Sequence, residues 1–297
     1  MYPSPRPLGP PPNYTLRRLL AVTVLVVLLW LVYLLARGVF GGDDDGGSSL
    51  QAGAETTTTS TTAPALEEPP PCEYRDEPAI YDRPDDWFRT LVDPVYALPE
   101  QYQPPDLVPA SEANYGAEFQ IRALMAEDLN AMRNGILSSG VPEVALIAAY
   151  RSVEQQADLF ARREAELGFD QAAEGTARPA HSEHHLGTAI DVRPIGASDV
   201  DQSFGDTETG QWLAEHAYEY GFILSYPEGE ESVTCYKYEP WHFRYVGREL
   251  AGRIHDSGLT LREYLWHWEV TGAEPGVSPS AMTSSTASTS STAPEGE

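Results

Sequence analysis

Residues 41–71, GGDDDGGSSLQAGAETTTTSTTAPALEEPPP, hold two leucines and no other large apolar side chain. A segment this poor in apolar surface cannot offset the entropy lost when its backbone is ordered. It predicts a disordered, acidic, Thr/Pro-rich linker over 38–71. The C-terminal TGAEPGVSPSAMTSSTASTSSTAPEGE has the same character and predicts a disordered Ser/Thr-rich tail over 272–297. Folding is thereby confined to 72–271, enough chain for one well-filled core.

Upstream, LLAVTVLVVLLWLVYLLA runs from Leu19 to Ala36 without a charge. At about 1.5 Å per residue it reaches roughly 27 Å, close to the thickness of a hydrocarbon core. It is longer than the apolar part of a signal peptide, and the following ARGVFGG is a poor cleavage site. A transmembrane anchor is expected over 19–37, after a short cytoplasmic tail, 1–18. Arg6, Arg17 and Arg18 precede the run, while Arg37 is followed by Asp43, Asp44 and Asp45. The asymmetry predicts a single-pass cell-membrane protein with its N-terminus in the cytoplasm and its domain outside. A net charge of -26 gives nucleic acid nothing to bind. Two cysteines in an exported domain, Cys72 and Cys235, are expected to form one disulfide.

Within 72–271 the periodicities are mixed. QIRALMAEDLNAMRNGIL places Ile121, Leu124, Met125, Leu129, Met132 and Ile136 near helical spacing. A short apolar strand follows Pro142, and SVEQQADLFARREAELG reads as a helix capped by Ser152. TGQWLAEHAYEYG is helical up to Gly221, FILSYP is a strand, and LTLREYLWHWEV closes with a helix. EESVTCYKYEPWHFRYVG alternates as strands do. The fold class is therefore α+β, a small antiparallel sheet with packed helices.

HSEHHLGTAID, His181 to Asp191, concentrates metal-ligand chemistry: His181, Glu183, His184, His185 and Asp191. His184 and Asp191 are seven apart and would lie on opposite faces of an unbroken strand. Gly187 offers a turn or bulge that realigns them. Fifty residues on, YEPWHFRYVG adds Glu239 and His242, with Pro240 keeping the segment out of a helix interior.

SEHHLGTAID fits the pattern S-x-H-x-x-G-x-A-x-D at Ser182, His184, Gly187, Ala189 and Asp191, and EPWH supplies E-x-x-H. Together they resemble the VanY-type zinc D-alanyl-D-alanine carboxypeptidases of the LAS metallopeptidase group, over most of residues 90–266. The resemblance implies one Zn²⁺ held by His184, Asp191 and His242, with Glu239 as general base rather than ligand. It implies that Arg151, in the segment AAYRSVEQQADLF, grips the terminal carboxylate of a peptidoglycan stem peptide. Gln156 and Ser182 would assist it by hydrogen bonding, and Trp241 and Tyr236 would wall the pocket. His185 and His181 are expected beside the site rather than in it.

Two positions depart from the family pattern: Cys235, where glycine is usual, and Asp93, where asparagine is common. The resemblance leaves D,D-carboxypeptidase, L,D-carboxypeptidase and endopeptidase activities open, and a zinc-stabilised wall-binding module is the non-enzymatic alternative. A serine peptidase of the S-x-x-K type is excluded: the single lysine, Lys237, stands three residues after Thr234. H-E-x-x-H is absent as well.

Overall fold

A computed structural model describes residue 66, residues 68–116 and residues 118–275. The expected anchor at 19–37, the segment before it, most of the linker and nearly all of the C-terminal tail lie outside the described residues. No helix among the described residues is long and apolar enough to cross a membrane.

In chain order the strands are β1 (Glu77–Pro78), β2 (Tyr96–Ala97), β3 (Leu107–Pro109), β4 (Gln120–Arg122), β5 (Val144–Ala148), β6 (Ala189–Pro194), β7 (Phe222–Leu224) and β8 (His242–Tyr245). The helices are α1 (Ala126–Ser139), α2 (Val153–Leu167), α3 (Phe169–Ala173), α4 (Glu208–His216), α5 (Glu231–Thr234), α6 (Arg248–Ser257) and α7 (Leu261–Thr271). Four strands form the central sheet in the order β5-β6-β8-β7, every neighbouring pair antiparallel. Two two-stranded pairs, β1–β2 and β3–β4, precede it in sequence.

Alternation along the strands sorts the two faces. Ile190 and Val192 of β6 and Phe243 and Tyr245 of β8 join Leu129, Met132 and Ile136 of α1 and Leu213 of α4 in the main core. Asp191, His242 and Arg244 point to the other side. A second cluster, built on Leu250 and Ile254 of α6 and Leu261 and Leu265 of α7, lies beyond the main core.

Three segments depart from the periodicity. The run from Gln120 opens as strand β4 and a 3-10 turn, Ala123–Met125, before α1 begins at Ala126. Tertiary bonds override the helical spacing there: Arg122 N donates to Gly187 O at 3.0 Å and Ala123 N to Asp106 O at 2.9 Å. The stretch read as alternating strand from Glu230 is extended only as β8 in regular structure; Glu231–Thr234 is the helical turn α5. Helix α6 was not anticipated, although Leu250, Ala251 and Ile254 sit at helical spacing before Gly258.

Cys72 and Cys235 are joined in a disulfide, their Cα atoms 5.3 Å apart. Cys235 ends α5 with φ of 71°, a left-handed conformation that costs a residue with a side chain about 1 kcal/mol or more. That backbone requirement accounts for the usual glycine at this position. Asp93 has a structural role too. Its Oδ1 accepts from Val95 N and Tyr96 N, both at 2.8 Å, and its Oδ2 accepts from Arg262 Nε at 2.6 Å. Arg262 also donates to Val233 O and Pro70 O, so a charged partner at position 93 helps to fix both ends of the domain.

Removing the disulfide opens a link across 163 residues and is expected to destabilise the domain by about 2–5 kcal/mol. The pair Cys72→Ser/Cys235→Gly should unfold at a higher temperature than Cys72→Ser/Cys235→Ser, since glycine accepts the positive φ; calorimetry compares them. Glu269 on α7 supplies a pH test. Burial, reinforced by the charge of Asp93, raises its carboxyl to about 7, although Ile80 N donates to it. The folded chain therefore keeps a proton that the unfolded chain loses above its ordinary value near 4.5. The contribution of Glu269 to stability should fall as pH rises across that window and be level on either side. Glu269→Gln should be more stable than the parent at pH 8, with the advantage vanishing towards pH 4.5, as read from urea midpoints.

Candidate metal centre

Asp191 and His242 stand opposite one another in the β6–β8 ladder, so their side chains leave the same face of the sheet. His184 arrives from a 3-10 turn, Glu183–Leu186, whose last residue is followed by Gly187 at φ 69°. The left-handed glycine reverses the chain into β6, and this places His184 beside Asp191 although they are not on one strand. Ser182 caps the turn, its Oγ accepting from His184 N at 3.3 Å. A bulge in the β5–β6 pairing between Leu146 and Ala148 bends the end of β5 towards the same place.

The result is a compact donor set. His184, Asp191 and His242 each offer an atom, and the three atoms lie within 4.8 Å of one another. His184 Nε2 is 3.3 Å from Asp191 Oδ2, and His242 Nδ1 is 2.9 Å from Asp191 Oδ1. The outer nitrogens are committed elsewhere. His184 Nδ1 donates to Ala149 O at 2.7 Å, and His242 Nε2 lies 2.9 Å from Glu183 Oε2. These bonds leave Nε2 of His184 and Nδ1 of His242 for a metal, each ring braced from behind. Two imidazole nitrogens and a carboxylate oxygen suit Zn²⁺ and leave room for a further ligand.

Glu183 is the residue whose role the motif alone did not assign. It is buried, and besides His242 it accepts from Ser225 Oγ at 2.7 Å and Arg244 Nη1 at 3.0 Å. Arg244 is 0% exposed and also donates to Trp87 O and Thr90 O. A charged residue in the middle of the apolar strand HFRY was the available signal. Burial opposes ionisation of Glu183, but Arg244 and His242 outweigh it and hold its carboxyl at about 2. Burial likewise disfavours charge on His242, yet hydrogen bonds to Asp191 and Glu183 raise it to about 10. His184 is pushed below its ordinary value by burial. The His242 ring is thus met by a carboxylate at each nitrogen, Asp191 at Nδ1 and Glu183 at Nε2.

The two other histidines of the motif segment, His181 and His185, are engaged elsewhere. His181 Nδ1 lies 2.7 Å from Asp93 O and its Nε2 3.0 Å from Asp76 Oδ1. His185 Nδ1 lies 2.7 Å from Arg151 O, and its Nε2 accepts from Ala180 N at 3.2 Å.

The donor set opens into a cavity of about 210 Å³ lined also by Arg151, Gln156, Ser182, Tyr226, Tyr236, Glu239 and Trp241. Glu239 sits before Pro240 with its backbone N bonded to Tyr226 O. Burial raises its carboxyl to about 8, while His242 pulls the other way. Arg151 lies just past β5, and its Nη1 donates to Gln156 Oε1 at 2.7 Å. Gln156 in turn donates to Ala177 O at 2.6 Å. One of its two amide N–H groups is thus taken up within the protein.

Residues 118–248 match the family model described as "VanY: D-alanyl-D-alanine carboxypeptidase". The bifunctional D-Ala-D-Ala dipeptidase and D-Ala-D-Ala carboxypeptidase VanXYC of Enterococcus gallinarum is 30% identical over 59% of this chain and 91% of its own length. The fold is similar to that of the LdcB LD-carboxypeptidase, with a TM-score of 0.54 and 37% identity over 60% of this chain and 84% of that one. It is similar also to a vancomycin-resistance D,D-pentapeptidase VanY variant solved with Zn(II), with a TM-score of 0.52 and 30% identity over 60% and 99%. The chain spans 65% and 66%, just under two thirds, of the length of curated relatives from Bacillus subtilis and Enterococcus faecalis.

If the set holds zinc, His242 must give up the Nδ1 proton that its carboxylate neighbours favour, so uptake at pH 7 should release at least one proton per ion. Calorimetry in buffers of different ionisation enthalpy counts it; a count of zero would contradict the assignment. Glu183→Ala should weaken zinc binding about 10–100-fold.

Proposed function

The chain belongs to the VanY family of D-alanyl-D-alanine carboxypeptidases, and we propose that it is a zinc enzyme removing the terminal D-alanine from peptidoglycan stem peptides. One observation carries the proposal. A donor set fit for zinc, a carboxylate with no protein hydrogen-bond partner among the described residues and a half-buried guanidinium line the same cavity. His184 Nε2, Asp191 and His242 Nδ1 would hold the ion. When bound, zinc supplies a Lewis acid that acidifies water and polarises a carbonyl.

The protein's own groups do the rest. Arg151 pairs with the substrate's terminal carboxylate, the planar guanidinium matching its two oxygens. That pairing sets the peptide's last amide over the donor set. Glu239 accepts a proton from the attacking water as its oxygen bonds to the acyl carbon. It then returns a proton to the departing nitrogen as the C–N bond breaks. One carboxyl thus serves both transfers, taking the water's proton and passing it to the departing nitrogen. Ser182 and Trp241 shape the walls. The apolar run Leu19–Ala36 and its flanking arginines support placing this domain outside the membrane, within reach of the wall.

The test is to incubate the purified, zinc-loaded protein with pentapeptide and tetrapeptide muropeptides and weigh the products. The pentapeptide should lose one alanine, and Glu239→Ala should slow that loss by about 10²-fold or more. Loss from the tetrapeptide instead would make it an L,D-enzyme, and no cleavage with zinc bound would favour a wall-binding module.

A further inference from the structure

Arg151 is held by its backbone at both ends, and both holds come from the turn that carries the metal-binding histidine. Arg151 N donates to His184 O at 3.2 Å. Arg151 O is met at 2.7 Å by Nδ1 of His185. The tautomer follows from the other nitrogen: Ala180 N–H donates to His185 Nε2 at 3.2 Å, so the ring proton sits on Nδ1 and points at Arg151 O. His185 is 1% exposed, and Ala180 has φ of 68° although it is not glycine. A strained turn on one side and the substrate arm on the other are thus bonded to one imidazole.

The geometry points to His185 as a positioning residue that sets where Arg151 presents its guanidinium. This rests on Arg151 being the group that grips the substrate carboxylate. The side chain has few other restraints; Gln156 Oε1 is its hydrogen-bond partner among the described residues. The residues after Arg151 are pinned by the Ser152–Gln155 capping box at the start of α2, so its position is set by bonds on either side. If the bond to Arg151 O is lost, the peptide plane between Arg151 and Ser152 keeps a single restraint, Ser152 N to Gln155 Oε1 at 2.9 Å, and can tilt about it. The guanidinium then shifts relative to a donor set that does not move with it. A guanidinium held less firmly pairs less well with the substrate carboxylate and weakens binding, while the reacting groups are unaltered.

The side chains that imitate one ring nitrogen at a time give the test. Asparagine places an N–H where Nδ1 stands, facing Arg151 O; glutamine places an oxygen where Nε2 stands, facing Ala180 N. His185→Leu and His185→Gln should raise KM about ten-fold, with kcat and zinc affinity within about two-fold of the parent. His185→Asn should restore KM to within about three-fold. A residue that served only the fold would instead follow size, with His185→Gln tolerated best and thermal stability falling in step with activity. Parent-like KM in His185→Leu and His185→Gln, or a fall in kcat alone, overturns the inference. Arg151→Ala run alongside separates the two layers. If it leaves KM unchanged, the reading of Arg151 fails and this inference with it. If it raises KM and His185→Leu does not, only the inference fails. Should His185→Leu not fold, the comparison of His185→Gln with His185→Asn decides alone.

Discussion

Asp191 and His242 face each other across one rung of an antiparallel ladder, and most of the domain serves to keep that rung in register. Their strand neighbours Ile190 and Phe243 form the next rung and point into the main core. A slip of one residue would drive both apolar side chains onto the polar face and bury the carboxylate and imidazole in the core. The packing of α1 and α4 on the sheet therefore enforces the chemistry on its far side. The site inherits its precision from hydrophobic contacts that never touch it.

Behind the rung lies a buried ion pair, Glu183 with Arg244. Pairs of this kind seldom add much stability, because desolvation cancels most of the attraction. What this one supplies is direction. Arg244 is tied to two carbonyls of the segment after Asp86, Trp87 O and Thr90 O, so Glu183 meets His242 at a fixed angle. The N-terminal part of the domain, remote in sequence, thereby sets the orientation of a ring in β8.

Much of this was legible from residue order. The spacing around Gly187 and the E-x-x-H segment identified the residues that the fold brings together, because motif positions encode local turns. The helix starting at Ser152 was legible for the same reason, its cap being written in adjacent residues. What escaped were features set by distant partners. Strand β4 interrupts a run of helical period because Gly187 O and Asp106 O claim its amides. The turn α5 replaces an alternating pattern because Cys235 takes a left-handed conformation at its end. The orienting roles of Glu183 and His185 depend on acceptors and donors that come from other elements. Helix α6 had a readable period, but it lay in a short segment between two stronger motifs.

The position of the disulfide has a mechanical consequence. The chain enters the domain from its N-terminal side at Cys72, and the covalent link to Cys235 is the first strong point that a pull along that chain would meet. Beyond it, the segment with Asp76 and strand β1 is held by non-covalent contacts, among them bonds to His181, Arg178 and β2. Tension arriving at Cys72 is passed sideways to the end of α5, so those bonds lie in the slack of the line of force. The residues leading into the metal-binding turn are thus isolated from whatever load the preceding chain carries.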